Sequence, residues 1–263
     1  MNKNDGSRKS MKLYILYGGQ AHAPDMSHLT PGRNVGKPIT FPFPMYLIDH
    51  PKGLVVLDTG FYLDKELKSY RYEPGKPDWK PEQRIDRQLI KLGYKPEDVK
   101  FVILSHMHKD HCGGMTLFPQ ATFIVRKQEL HAAWWPESFQ TGYSYNDFKD
   151  TRNFKYIQPL DEEELDVFYD GSLICIDTKG HTRGHQSLIV NLPKYGKIVL
   201  AVDAAPVAEN LEEKIIPGIC WNSEMAVRAI EKLQHMQSIG MHIITGHDPV
   251  AWKTLKIAPD YYE

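Results

Sequence analysis

Short apolar or β-branched runs recur along the chain: LYILY (13–17), MYLID (45–49), LVVLD (54–58), FVILS (101–105), TFIV (122–125), LICID (173–177), SLIV (187–190), IVLAVD (198–203) and HIIT (242–245). Each has the length and residue types of a strand. Between them lie helical patterns. Pro81 to Leu92 opens with proline in a first turn, spaces Ile85, Leu89 and Leu92 on one face and stops at Gly93. A second helix begins with Asn222 or Ser223 as N-cap, carries Ala226, Ile230, Leu233 and Gln237 along one side with Ala229 and Met236 beside them, and ends at Gly240. Strands and helices therefore alternate in each half, which is the pattern of an α/β fold. The segment 136–166, rich in aromatic and acidic residues, divides the halves and reads as an inserted lid or loop. Residues 21–44, dense in Pro, Gly and His without periodicity, read as a long functional loop over the site.

A chain of 263 residues can close as one α/β unit, so a single domain over 11–263 is expected behind a flexible extension, 1–10. Lysine and arginine total 32 against 33 aspartates and glutamates, with no long like-charge run. That balance gives no sign of a nucleic-acid surface, disfavours a nuclease and fits a small neutral or polar substrate better. No signal-type or membrane-length apolar run occurs, and three scattered cysteines cannot build a disulfide framework. A soluble cytoplasmic protein with reduced thiols is expected.

The densest chemistry is Ser105-His106-Met107-His108-Lys109-Asp110-His111, directly after the strand FVIL. Alternate residues of an extended stretch point the same way, so His106 and His108 can grip one metal, while the turn beyond brings Asp110 and His111 to a second. Imidazole with carboxylate suits zinc first, with manganese, iron or cobalt as alternatives. The pattern HxHxDH would arise by chance in about two of a thousand chains of this composition. Three more ligand types stand just past strands: His181 in GHTRGH, Asp203 at the end of IVLAVD, and His247 in GHD. Strand ends of an α/β sheet converge on such sites.

These motifs resemble the metallo-β-lactamase superfamily, and within it the N-acyl homoserine lactonases that quench quorum sensing. The resemblance runs over most of the chain: LTPGR, the Asp58-Thr59-Gly60 turn, SHMHKDHCGG, TKGHTRGHQSL, the aspartate of AVDAA, and GHD. It implies a four-layer αβ/βα sandwich with two divalent metal ions along one edge. It further implies His106, His108 and His181 on the first metal, Asp110, His111 and His247 on the second, and Asp203 bridging both. Asp58 would orient ligands, His185 would support rather than bind, and Cys112 would be a small buried neighbour.

The expected reaction is the opening of a lactone ring, that of an N-acyl homoserine lactone, by a metal-bridging hydroxide, with Asp110 shuttling the proton to the leaving alkoxide. Phe41, Phe43, Met45, Trp134, Trp135 and Phe139 could line an apolar groove or pack as core. Two positions depart from the family. Where its lactonases carry a tyrosine three residues after the bridging aspartate, this chain has Pro206, which has no donor; Lys109 stands where an apolar or aromatic residue is usual. These leave open another lactone, a thioester, a phosphate ester or a β-lactam as substrate, or a non-catalytic metal-binding protein. A flavo-diiron redox site is disfavoured, since it would need glutamate at 108. No nucleic-acid or membrane partner is expected; a homodimer is possible.

Overall fold

The computed structural model describes residues 10–61 and 77–263, so the extension expected over 1–10 lies, but for residue 10, outside the described residues. Two sheets face each other. The first is ordered β4-β1-β2-β3-β5-β6-β7, from β1 (Lys12–Ala23), β2 (Ile39–His50), β3 (Gly53–Leu57), β4 (Pro77–Asp78), β5 (Val99–Ile103), β6 (Thr122–Ile124) and β7 (Lys155–Ile157). The second is ordered β12-β11-β10-β9-β8, from β8 (Leu165–Asp166), β9 (Leu173–Asp177), β10 (Gln186–Leu192), β11 (Gly196–Val202) and β12 (His242–Thr245).

Period-two alternation explains the layers, because successive side chains of a strand point to opposite faces. Leu13, Ile15, Tyr46, Ile48, Val55 and Leu57 of the first sheet meet Leu188, Val190, Ile198, Leu200 and Ile244 of the second in one core. The intervening residues face outward and are also apolar. Tyr14, Leu16, Leu47 and Val56 pack under Ile85 and Leu89 of α1 (Ile85–Lys91). Ile189, Val199 and Ala201 pack under Ala229, Ile230 and Leu233 of α6 (Ser223–Ser238). The result is the helix–sheet–sheet–helix sandwich expected from the sequence.

The α6 boundaries have local causes. Asn222 accepts from Met225 N at 3.0 Å as N-cap, and the chain turns at Gly240 with φ +91°. Gln237 is exposed rather than part of the buried stripe. Leu233 is fully buried, so Leu233→Ala would cost roughly 2–5 kcal/mol.

Two sequence expectations are corrected. Residues 21–44 are not one loop: 21–23 end β1, 39–44 begin β2, and only 24–38 connect them, with a single 3-10 turn at Met26–His28. Pro42 and Pro44 are tolerated in β2 because, among the described residues, this end pairs with β1 alone, opposite Gln20 and Tyr17, while β3 reaches no further than Tyr46. The connection itself lies on α5 (Ala208–Glu213), where Asn34 Nδ2 donates to Glu209 Oε2 at 2.7 Å and Asn210 Nδ2 to Leu29 O at 2.8 Å. The segment 136–166 is likewise only partly a loop, since it supplies α4 (Tyr145–Phe148) and the edge strands β7 and β8. Among the described residues no helix is long and apolar enough to cross a membrane.

Candidate metal centre

All seven side chains singled out by the sequence converge at one end of the two sheets. His106 and His108 follow β5, Asp110 and His111 sit on the single turn α2 (Lys109–Cys112), and His181, Asp203 and His247 follow β9, β11 and β12. Val202, a β-branched residue, is held at φ +49° where the β11–β12 register shifts. That bend turns Asp203 off the sheet, and such strain persists only where the surroundings enforce it.

Three groups of ligand atoms could each hold an ion, with all atoms within 4.8 Å of one another: His106, His108 and His181; His106, His111 and Asp203; Asp110, His111 and His247. Asp203 spans them. Its Oδ2 lies 3.3 Å from His181 Nε2 and 4.0 Å from His106 Nε2, while its Oδ1 lies 3.1 Å from His247 Nε2 and 3.5 Å from His111 Nε2. His181 Nε2 and His108 Nδ1 are 3.1 Å apart.

The outward nitrogens decide what these rings present inward. His111 Nδ1 donates to Asp58 Oδ2 at 2.8 Å, His181 Nδ1 to Ile219 O at 2.7 Å and His247 Nδ1 to Pro42 O at 2.8 Å. A carboxylate or carbonyl can only accept, so each neutral ring turns a lone pair on Nε2 to the centre. His106 follows by relay: Ser105 Oγ donates to Asp58 Oδ2 at 2.7 Å and accepts from His106 Nδ1 at 2.9 Å. The centre is thus a buried set of lone pairs and carboxylate oxygens. Among the described residues, His106 Nε2, His111 Nε2 and Asp203 Oδ1 make no hydrogen bond of good geometry despite these close approaches, an arrangement that buried polar atoms avoid unless a cation stands between them. The donor set therefore fits a pair of divalent ions. Without them, protons take that role. Burial pulls His111 and His247 down, but facing carboxylates, Asp110 and Asp203 among them, outweigh it and raise both. Burial, reinforced by neighbouring rings, lowers His106 and His108.

Of the neighbouring positions, His185 is fully buried, bonded through Nδ1 to Thr178 Oγ1 at 2.9 Å, and outside all three groups. Cys112 is buried, donates to Met107 O at 3.2 Å, and has its thiol pushed well up by burial. Lys109 is half-buried, with burial lowering its pKa against the pull of Asp110 and Asp147. It does not line the cavity that opens beside the centre. That cavity, ≈ 190 Å³, is bounded by His108, His181, Phe139, Tyr143, Ile219 and Trp221 among others. Of the aromatic residues considered for a groove, Phe139 lies there; Phe41 and Phe43 pack edge-on to His247, with ring centroids 5.6 and 5.4 Å away. Met45 and Trp134 belong to the core and Trp135 is exposed. Sequence reasoning missed Glu129, which lies behind the centre, because nothing local marks a glutamate in a short helix as buried.

A model of the metallo-beta-lactamase superfamily matches residues 44–236. The N-acyl homoserine lactonase AttM of Azorhizobium caulinodans is 34% identical over 262 residues, covering 96% of this chain and 99% of its own. The chain belongs to the metallo-beta-lactamase superfamily and, within it, to the family of the N-acyl homoserine lactonases. A lactonase of Bacillus cereus is 31% identical over 95% of this chain and 98% of its own. A solved N-acyl homoserine lactone hydrolase, with the product N-hexanoyl-L-homoserine bound at its catalytic metal center, superposes with a TM-score of 0.83 at 27% identity, covering 96% and 99% of the two chains. In this member of the superfamily Pro206 is buried and uses its carbonyl: His247 N donates to Pro206 O at 2.6 Å. The backbone of 206 thereby sets the His247 turn against the Asp203 turn.

Proposed function

We propose that the chain is a dimetal hydrolase that opens the ring of N-acyl homoserine lactones. The observation that carries this reading is Asp203, whose two oxygens face two different sets of histidines, in a chain whose relatives over nearly its whole length are N-acyl homoserine lactonases. His106, His108 and His181 would hold the first ion, Asp110, His111 and His247 the second, and Asp203 both. Zinc suits this imidazole and carboxylate set best. When bound, such ions supply Lewis acidity toward the ester carbonyl and a water acidified to near neutrality.

The protein's own part is to position and to move a proton. Asp58, through Ser105 and His111, keeps both rings turned inward. Asp110, whose Oδ2 lies 3.4 Å from His111 Nε2, would hold the second ion and also carry a proton to the leaving alkoxide. Phe139, Tyr143, Ile219 and Trp221 give the cavity an apolar wall for the substrate beside His108 and His181. The same reading extends to a cytoplasmic protein folded as one domain over 11–263 and able to pair as a homodimer. Its three free thiols support the reducing compartment, and light scattering measures the assembly.

One observation favours a second reading. Pro206 cannot donate to a carbonyl oxygen, so a related ester, thioester or phosphate ester that needs no such donor is the alternative substrate. A panel of lactones, thioesters and phosphate esters assayed with zinc, manganese, cobalt and iron separates the two. Fastest turnover on acyl homoserine lactones upholds the lactonase reading, and no turnover of any lactone overturns it.

A further inference from the structure

Helix α3 (Lys127–Trp134) brings a carboxylate behind the metal centre whose four hydrogen bonds go to none of the seven ligand side chains. Glu129 is fully buried and receives four hydrogen bonds, two on each oxygen. Oε1 accepts from Met107 N at 2.8 Å and Tyr143 Oη at 3.1 Å; Oε2 accepts from Thr182 Oγ1 at 2.7 Å and Gly184 N at 2.9 Å. Every partner is neutral, and the two backbone N–H groups, one on each oxygen, can only donate, so both oxygens of Glu129 are held as acceptors.

The positions of these donors matter. Met107 is the residue between His106 and His108, and Thr182 and Gly184 are the first and third residues after His181. One carboxylate therefore joins the two loops that bear His106, His108 and His181. None of its bonds reaches the β12 turn of His247 or the side chains of Asp110 and His111. The packing is too close to admit substitutes: a Cβ at Gly184 would lie 2.6 Å from Glu129 Cβ. The fourth donor extends the link to the cavity wall. Tyr143 lines the cavity, its ring centroid lies 5.0 Å from that of His108, and a Cβ at neighbouring Gly142 would lie 2.6 Å from His108 Cδ2.

We infer that Glu129 is a positioning residue that holds His106, His108 and His181 in register with one another, and so sets the affinity of the first ion while leaving the second untouched. The inference rests on the dimetal reading above. Glu129→Gln keeps the shape but turns an NH₂ toward one backbone N–H, of Met107 or of Gly184, so that bond is lost and the hydroxyl on the same side must turn from donor to acceptor.

The test is competition of the zinc-loaded full-length protein against a graded chelator, with zinc counted as it leaves. Wild type should carry two equivalents. In Glu129→Gln, one equivalent should leave at about 10- to 100-fold lower chelator, the usual effect of losing a residue that orients ligands, and the other at the wild-type concentration. In a double-mutant cycle, Glu129→Gln should add nothing to His181→Ala and should add its full effect to His247→Ala. A purely structural role would weaken both ions alike and be additive with both histidines. Thr182→Val, which removes one donor without touching the carboxylate, should weaken the same ion by about tenfold; it decides the matter should Glu129→Gln fail to fold. A wild-type chain holding fewer than two ions sinks the dimetal reading and this inference with it. Two ions in wild type, with both or neither weakened in the variants, overturns this inference alone.

Discussion

Asp58 Oδ2 lies 2.8 Å from His111 Nδ1, and this contact determines which nitrogen of that ring faces the centre. The same carboxylate accepts from Ser105 N and Ser105 Oγ, each at 2.7 Å, so it governs His106 as well. In Asp58→Asn one of those acceptor sites becomes a donor, and His111 or Ser105 must turn away. Zinc affinity should fall 10- to 100-fold with activity falling alongside, read by chelator competition and by turnover at saturating zinc. Unchanged affinity would mean that the neighbouring packing, not Asp58, orients the rings.

Asp203→Asn should abolish hydrolysis and reduce retained metal from two equivalents, because an amide offers one neutral acceptor oxygen where the carboxylate offers two anionic ones. The comparison of two histidines four residues apart sharpens this. His181 Nε2 faces Asp203 at 3.3 Å, whereas His185 lies outside the candidate ligand groups. His181→Ala should therefore lose more metal than His185→Ala by elemental analysis. The reverse ranking would break the ligand assignment.

Acid stability of the metal-free protein should depend on His185. Burial, reinforced by His181, pulls its pKa down to about 3 in the fold, against about 6.5 in an unfolded chain. Between those values the unfolded state binds a proton that the folded state refuses, so stability falls as pH drops below about 6.5 and stops falling on this account near 3. Each such proton is worth about 1.4 kcal/mol per pH unit. His185→Asn cannot take that proton, so its denaturation midpoint should decline less steeply with acid than that of the wild type. Parallel slopes would assign the acid limb to other groups.

How far the sequence could be read depended on whether the cause was local. HIIT and IVLAVD announce strands because both faces of a sandwiched strand are apolar, and Asn222 and Gly240 mark their helix with a cap and a stop. HxHxDH is legible because its ligands are neighbours in the chain. The β2 segment 39–44 is not, because Pro42 and Pro44 read as breakers until its pairing with β1, opposite Gln20 and Tyr17, is known. The edge strand β7, with an exposed-intermediate-exposed pattern, carries no apolar signal. Glu129 is the extreme case: its partners are 14, 22, 53 and 55 residues away, so only the closed fold distinguishes it from an ordinary helix glutamate.

The remaining prediction concerns Pro206. Its carbonyl holds His247 N at 2.6 Å, and any residue supplies a carbonyl, so replacement need not undo the turn. Tyrosine there would restore the hydroxyl that related lactonases offer to the substrate carbonyl oxygen. An oxyanion donor of this kind is typically worth 10²- to 10³-fold in rate, which is the ceiling for Pro206→Tyr. The expected gain in kcat on acyl homoserine lactones is smaller, about tenfold, because releasing the proline also loosens the local backbone and displaces the new side chain from its best geometry. If the natural substrate is instead a thioester or phosphate ester, the added ring occupies space beside the centre and should depress that activity. Both rates measured on one variant separate the cases: a gain on lactones supports a lactonase lacking its usual donor, and no gain on any lactone with undiminished hydrolysis of another ester counts against the lactonase reading.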